Sequence, residues 1–319
     1  MTAAPSRTAQ PLELLPIDIR AYTGNTAIPY VTTLDSGAPG PHVLINALTH
    51  GNEVCGAHAL DYLFRNDLTP HHGKLSLSFA NVSAYETFDA ANPGTSRYLD
   101  EDFNRLWSEG VLDAPTRSRE HERAKVMRPL IDDVDHLLDL HSMQTPSPAL
   151  ALAGTTDKCL EKCAAIGVPA HIVVDPGHAA SARLRDYQPF ADTNNPRTAV
   201  LIECGQHWAA QSRDVAIDAT LRFLRAFGMV DEDQTKLPQT ATLPPQHVIE
   251  VSEAVTVQND DFHFLDDYAG LEVITRAGTA IARDGARPVV TPYDECVLIM
   301  PTPRIKRGQT AVRFGRYRH

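Results

Sequence analysis

The sequence predicts an α/β fold: a mostly parallel or mixed sheet with helices on both faces, followed by a small all-β domain. Two observations predict it. As far as Phe227, short apolar runs alternate with helical stretches, the pattern of strands buried on both faces and joined by crossover helices. From His247 onward the segments become β-like and closely spaced, with Gly and Pro between them, which suits a sandwich or barrel. At 319 residues the chain has room for two packed domains.

The elements follow in order. His42–Leu48 (HVLINAL) is an apolar strand running into Thr49-His50-Gly51. Glu53–Arg65 reads as a helix with Val54, Ala57, His58 and Tyr62 on one stripe, and Lys74–Asn81 alternates as a strand. Ala84–Asp113 has no sustained period and contains Asn92-Pro93-Gly94, so it reads as a long functional loop. Thr116–Asp133 is a charged helix and Asp135–His141 a buried strand. Ala149–Ala153 and His171–Val174 are short strands around the helix Thr156–Ile166. Ala199–Glu203 (AVLIE) is a strong strand. Ala209–Phe227 is an amphipathic helix with Ile217, Leu221 and Leu224 in register and Gly228 as its C-terminal cap. The acidic, Pro-containing stretch 231–246 reads as a linker, giving domains at 1–230 and 247–319.

Composition narrows the function. Twenty-nine Lys and Arg against 40 Asp and Glu leave a net charge of −11. Phosphate backbones need concentrated positive charge, so nucleic acid and anionic membrane surfaces are disfavoured partners. A small anionic substrate is not, because a few arginines in a cleft reverse the local field. No run of 18 apolar residues exists, so no membrane span is expected. Met1–Pro16 lacks the basic and apolar regions of a secretory signal. Five cysteines, an odd number, form no disulfide framework and suit a reducing cytoplasm.

Three strand ends carry polar side chains where α/β sheets expose their sites: Thr49-His50-Gly51-Asn52-Glu53, Asp139-Leu140-His141-Ser142 and Ile202-Glu203-Cys204-Gly205. His50 and Glu53, three apart at a strand-to-helix turn, can face one point, and His141 would complete a His₂Glu set suited to Zn²⁺ with a fourth position for water. Asp139 is placed to orient a ligand imidazole. Taken singly, a His-x-x-Glu pair is more often a surface helix pair, and a histidine at a strand end a structural residue. Their joint occurrence shifts the balance to a site. Glu203 reads either as a salt-bridge partner or as a general base and acid whose pKa burial raises. Arg97, Asn104 and Arg105 lie in the long loop. Either the arginines pair with Asp100, Glu101 and Asp102, or they capture an anion through the guanidinium fork. Phe103, Leu106 and Trp107 would anchor that loop.

Together these segments resemble the succinylglutamate desuccinylase/aspartoacylase family, a branch of the zinc-carboxypeptidase-like clan. The resemblance rests on Thr49–Glu53, Arg97-Tyr98 with Asp102-Phe103-Asn104-Arg105, Asp139-Leu140-His141 and Ile202–Gly205, and extends to the β-rich tail through CVLIMP and GQTAVRFGR. It implies that residues 1–230 form a zinc-carboxypeptidase-like catalytic domain and that His50, Glu53 and His141 hold one Zn²⁺ per chain. Glu203 would then be general base and acid, and Arg97 would stabilise the oxyanion. Asn104 and Arg105 would bind the substrate carboxylate. The implied reaction is hydrolysis of the amide bond of an N-acyl amino acid or related small amide, a carbon–nitrogen bond other than a peptide bond.

Two departures bear on specificity. Cys204-Gly205-Gln206-His207 replaces the Val-Gly-Pro-Gln common in aspartoacylases. The extra arginine that aspartoacylases place on the aspartate side chain has no clear counterpart; Arg183, Arg185 and Arg197 are its candidates. Three other readings stay open: a zinc carboxypeptidase acting on peptide or murein fragments, a non-catalytic metal-containing binding module, and a thiol hydrolase using Cys55 or Cys204. Homo-oligomerisation is equally open.

Overall fold

A computed structural model of the chain describes residues 11–177, 181–235, 243–303 and 305–318. Residues 1–10 of the N-terminal stretch and 236–242 of the linker reading lie outside the described residues. The strands are β1 (Val31–Asp35), β2 (His42–Ala47), β3 (Lys74–Phe79), β4 (His136–Met143), β5 (Leu150–Leu152), β6 (His171–Val174), β7 (Thr198–Gln206), β8 (His247–Thr256), β9 (His263–Phe264), β10 (Glu272–Ile274), β11 (Ala280–Asp284), β12 (Arg287–Val290), β13 (Cys296–Ile299) and β14 (Thr310–Tyr317). The long helices are α1 (Cys55–Arg65), α2 (Arg119–Asp133), α3 (Asp157–Ile166) and α4 (Ala210–Ala226).

Among the described residues, eleven strands form one mixed sheet in the order β1-β3-β2-β4-β7-β5-β6-β8-β14-β13-β10. Its centre, β3-β2-β4-β7, is parallel. Both faces are covered, which is why these strands read as apolar runs rather than clean alternations. Val43 and Ile45 pack with α1 and α4, whereas Leu44 faces α2 and the loop residues Phe103 and Trp107. Likewise Leu138 and Leu140 point to the first layer and Leu137 to the second. Asp139 and His141, in step with Leu137, therefore face the second layer.

The α/β expectation holds, as does the mixed character of the sheet. β5 runs antiparallel to β7 and parallel to β6, and β1 pairs antiparallel with β3. The β-rich C-terminal region joins the sheet directly, because β8 pairs in parallel with β6 and β14 antiparallel with β8. A separate three-stranded sheet, β12-β11-β9, sits beyond it.

Two local readings change. The buried side of α1 is Cys55, Gly56, Ala57, Ala59, Leu60 and Leu63, while His58 and Tyr62 are only partly covered. The helix packs on β2 and β4 and side by side with α4, so its small residues, not the expected stripe, meet both neighbours. The Ala84–Asp113 loop contains short helical turns at Pro93–Arg97, Phe103–Arg105 and Glu109–Leu112. It is pinned by Phe103, Leu106 and Trp107, which are almost wholly buried. Gly228 takes φ +65, the left-handed conformation that ends α4.

Candidate active site

The carboxyl ends of β2, β4 and β7 bring the polar side chains together. β2 leaves the sheet through Leu48, a non-glycine residue at φ +61, a strained conformation of the kind that functional turns retain. The turn delivers His50 and Glu53 immediately before α1. His141 stands near the end of β4, and Glu203 is its register partner on β7.

One carboxylate is the hub. Glu53 Oε1 lies 2.8 Å from Nδ1 of His50, and Glu53 Oε2 lies 2.9 Å from Nδ1 of His141. One ligand atom from each residue falls within 4.8 Å of the others, and all three residues are buried. The outward nitrogens are held by carboxylates too. Nε2 of His50 is 2.9 Å from Asp102 Oδ1, and Nε2 of His141 is 2.8 Å from Asp139 Oδ2. Asp139 is fully buried, and its other oxygen accepts from Asn46 and Thr49, each at 2.8 Å.

This donor set fits a divalent cation. Two imidazoles aim the same ring nitrogen at one carboxylate, and each is backed by a second carboxylate, the arrangement that fixes the ligand tautomer. Ligand atoms around one tetrahedral ion stand roughly 3.3 Å apart for bonds of about 2.0–2.1 Å, within the 4.8 Å that encloses one ligand atom from each of these residues. The charges agree as well. Burial pushes the Glu53 carboxyl up, but the two imidazoles outweigh it and hold it well below the usual carboxylate range. Burial depresses His141, yet Asp139 and Glu53 reverse this and hold it well above an ordinary imidazole. The cluster thus calls for positive charge between its carboxylates.

Glu203 is the opposite case. Burial, and then the negative Glu53, raise its carboxyl to about 8. Its Oε2 is buried with no hydrogen-bond partner among the described residues. Arg97 closes the near side: Nη1 is 3.1 Å from Glu53 Oε1 and Nη2 is 3.2 Å from Asp102 Oδ2. Asp102 therefore does pair with Arg97, whereas Asp100 and Glu101 pair with Arg119 and Arg117 beside the start of α2. Asn104 is buried and accepts from the Leu184 amide at 2.8 Å, while Arg105 donates to the Asn104 carbonyl at 2.8 Å.

His50, Glu53, Arg97, Asp102, Asn104, Arg105, His141 and Glu203 line one cavity of about 1000 Å³. Its walls include Thr302, Thr310 and Arg313 from the C-terminal region. Of the three candidate arginines, Arg183 lines the cavity; Arg185 is turned to the Ala153 carbonyl and Arg197 to the Asp132 carbonyl. Sequence reasoning missed Asp102 as the partner of His50, and also His207, whose Nδ1 is 2.8 Å from Ser142 Oγ in the cavity wall. It missed Arg313 as well. Asp102 lies 52 residues beyond His50 in an aperiodic loop, with no local signal to link them.

Cys55 and Cys204 lie on the opposite side of β7 from Glu203, packed with α1 and α4. Contact with Cys55, together with burial, holds the Cys204 thiol well above its usual range, so Cys204 does not resemble an activated nucleophile.

The catalytic-domain model of the succinylglutamate desuccinylase/aspartoacylase family matches residues 39–227. The chain belongs to this family. Family membership supports amide hydrolysis of acyl amino acids. No curated protein matches the chain. Among solved structures, a succinylglutamate desuccinylase from Vibrio parahaemolyticus is similar at 17% identity and TM-score 0.66, over 91% of this chain and 86% of the other. The product-bound ectoine utilization protein EutE (DoeB) from Ruegeria pomeroyi is similar at 19% identity and TM-score 0.63, over 90% and 88%. Murine aminoacylase 3 is similar at 19% identity and TM-score 0.61, over 88% and 96%. At these identities the likeness establishes the fold. Among the described residues, no helix is long and apolar enough to cross a membrane.

Proposed function

We propose that the chain is a zinc-dependent amidohydrolase that cleaves the amide bond of a small anionic N-acyl amino acid. The observation that carries this reading is the convergence of two Nδ1 atoms on the Glu53 carboxylate, with the buried Glu203 across the strand pair from His141. His50, Glu53 and His141 would hold one Zn²⁺, which when bound polarises a carbonyl and brings the pKa of water toward neutrality.

The chain's own residues supply the rest. Among the described residues, Glu203 is the cavity carboxylate raised toward neutrality, so it suits accepting a proton from the attacking water and passing it to the leaving nitrogen. Arg97 carries a charge close to Glu53 and His50, where an oxyanion would develop, and removing one such donor typically costs about 10²–10³ in rate. Arg105, with Asn104 fixing its loop, would receive the substrate carboxylate.

A cavity of about 1000 Å³ walled partly by the C-terminal region favours a small substrate over peptide or murein fragments. A binding module would need neither Glu203 nor Arg97. We further propose a catalytic domain at 1–230, a linker at 231–246 and a β-rich domain at 247–319. A cytoplasmic location is proposed from the five free, buried cysteines. The test is Glu203→Gln in zinc-replete protein. Turnover of N-acyl amino acids is expected to vanish with zinc retained; retained turnover rejects Glu203 as the base.

A further inference from the structure

The cavity has a corner of neutral polar side chains that the hydrolytic chemistry leaves unused. Asn52 and His207 both line the cavity, and each is only 3% exposed. Oδ1 of Asn52 is buried with no hydrogen-bond partner among the described residues. The His207 ring is bonded through Nδ1 alone, to Ser142 Oγ at 2.8 Å, and its Nε2 has no partner among the described residues. Buried polar groups are costly to leave unmet, and each one in a folded protein calls for an explanation.

The corner is built by the backbone. β4 and β7 stay in register as far as His141 and Glu203, and the register then shifts before Met143 and Gln206. Such an irregularity re-aims the side chains beside it, here Ser142 and His207. The His207 amide donates to the Met143 carbonyl at 2.8 Å, and the Trp208 amide to Gln206 Oε1 at 2.8 Å. Trp208 Nε1 donates to the Asn52 carbonyl at 3.3 Å, which ties the two sides of the corner together. His207 also stands in the segment that departs from the aspartoacylase pattern.

Its place relative to the metal ligands follows from its neighbours. The Ser142 amide donates to Glu53 Oε2 at 3.1 Å, so the corner adjoins the ligand cluster. The charges that act on His207 are Glu53, Arg97, His50 and His141. Those that act on Arg105 are Asp102, Arg97, Arg183 and Arg313. Arg97 is common to both, so the ligand cluster lies between Arg105 and this corner. A carboxamide and an unprotonated imidazole suit a neutral hydrogen-bonding group rather than a charge.

We propose that Asn52 and His207 form a specificity-determining subsite that hydrogen-bonds a neutral polar substituent on the acyl half of the substrate. Arg105 takes the carboxylate of the amine half, so the acyl half falls on the other side of the ligands, at this corner. The preferred acyl group then carries a hydroxyl or carboxamide close to the scissile carbonyl. An alkyl group there would leave the polar atoms of the subsite unpaired, which is how such a site rejects it. This rests on the proposed amide hydrolysis.

The test uses the full, zinc-loaded chain and an isosteric pair of substrates. N-glycolyl-L-alanine ends its acyl group in a hydroxyl, and N-propionyl-L-alanine ends it in a methyl. Wild type is expected to favour the glycolyl compound by about 10- to 100-fold in kcat/KM, the range of a buried polar group left unpaired. His207→Phe and Asn52→Leu are each expected to remove most of that preference while one equivalent of Zn²⁺ stays bound. Asn52→Leu gives the reading if His207→Phe fails to fold. His207→Gln, still a hydrogen-bonding side chain, is expected to keep part of the preference. No preference in wild type, or one that survives both His207→Phe and Asn52→Leu, overturns the proposal. An equal loss on both substrates also overturns it, because the two side chains would then serve only the fold or the metal.

Calorimetric binding of both compounds to Glu203→Gln, which is expected not to turn over, separates the two claims. Wild type could hydrolyse neither amide while Glu203→Gln binds the glycolyl compound more tightly and added His207→Phe cancels the difference. The hydrolytic reading then fails and the subsite stands. If the two compounds bind equally, the subsite fails whatever the hydrolysis shows.

Discussion

Asp139 and His141 stand two residues apart on one strand, and the Asp139 carboxylate lies 2.8 Å from Nε2 of His141. This turns Nδ1 of the ring toward Glu53. A backing carboxylate of this kind fixes the ring and strengthens it as a ligand. Asp139→Asn is therefore expected to weaken Zn²⁺ binding about 10- to 100-fold, read by competition with a chelator. Unchanged affinity would show that the imidazole needs no such support.

Glu203 predicts how the metal-free protein responds to pH. Its carboxyl is raised from 4.5 to about 8 on folding, so between those values the folded state keeps a proton that the unfolded state has lost. Stability is fully present below the unfolded value and falls as pH rises through the folded one. At about 1.4 kcal/mol per pH unit, the loss is on the order of a few kcal/mol. Glu203→Gln lacks it, so its advantage in Tm over wild type is expected to grow from pH 5 to pH 8.5, and to shrink once Zn²⁺ is added. A Tm difference that is flat with pH contradicts the buried, protonated carboxyl.

Glu120, at the start of α2, governs the loop that carries Arg97 and Asn104. Its buried carboxylate accepts the amides of Leu99 at 2.7 Å, Asp100 at 3.1 Å and Glu101 at 3.4 Å. Glu120→Ala strands those donors and is expected to lower kcat/KM about 10- to 100-fold through misplaced loop residues. Zinc affinity should change less than about tenfold. Glu120→Gln, still an acceptor, should recover most of the activity. Full activity in the alanine variant would show that the loop is held by its apolar anchors alone.

His207 is expected to be a neutral partner rather than a proton carrier. Burial lowers its pKa to about 4, and Ser142 holds Nδ1 at 2.8 Å. His207→Gln should leave the acid limb of the kcat/KM profile in place between pH 5 and pH 8. A shifted limb would make His207 a titrating member of the site.

Much of this arrangement was legible in the sequence, for a physical reason. His50, Glu53, His141 and Glu203 each follow an apolar run, and a parallel sheet gathers the carboxyl ends of such runs on one edge. Phe103, Leu106 and Trp107 marked their loop as anchored. What could not be read depends on pairing that no local pattern records. Alternation in TAVRF separates Arg313 from Val312 and Phe314, but only the pairing of β14 with β8, and of β8 with β6, brings Arg313 to the cavity that His50, Glu53 and His141 line. The reversal of β5 against β7 and the α1 stripe escaped for the same reason: each is decided by its neighbour.

Titration of the chelator-treated chain with Zn²⁺, followed by calorimetry, tests the metal centre most directly. Wild type should bind one equivalent, and both Glu53→Gln and His141→Ala should lose that tight site while keeping the fold. A tight equivalent that survives both substitutions would place the cation elsewhere and remove the basis for the hydrolytic chemistry.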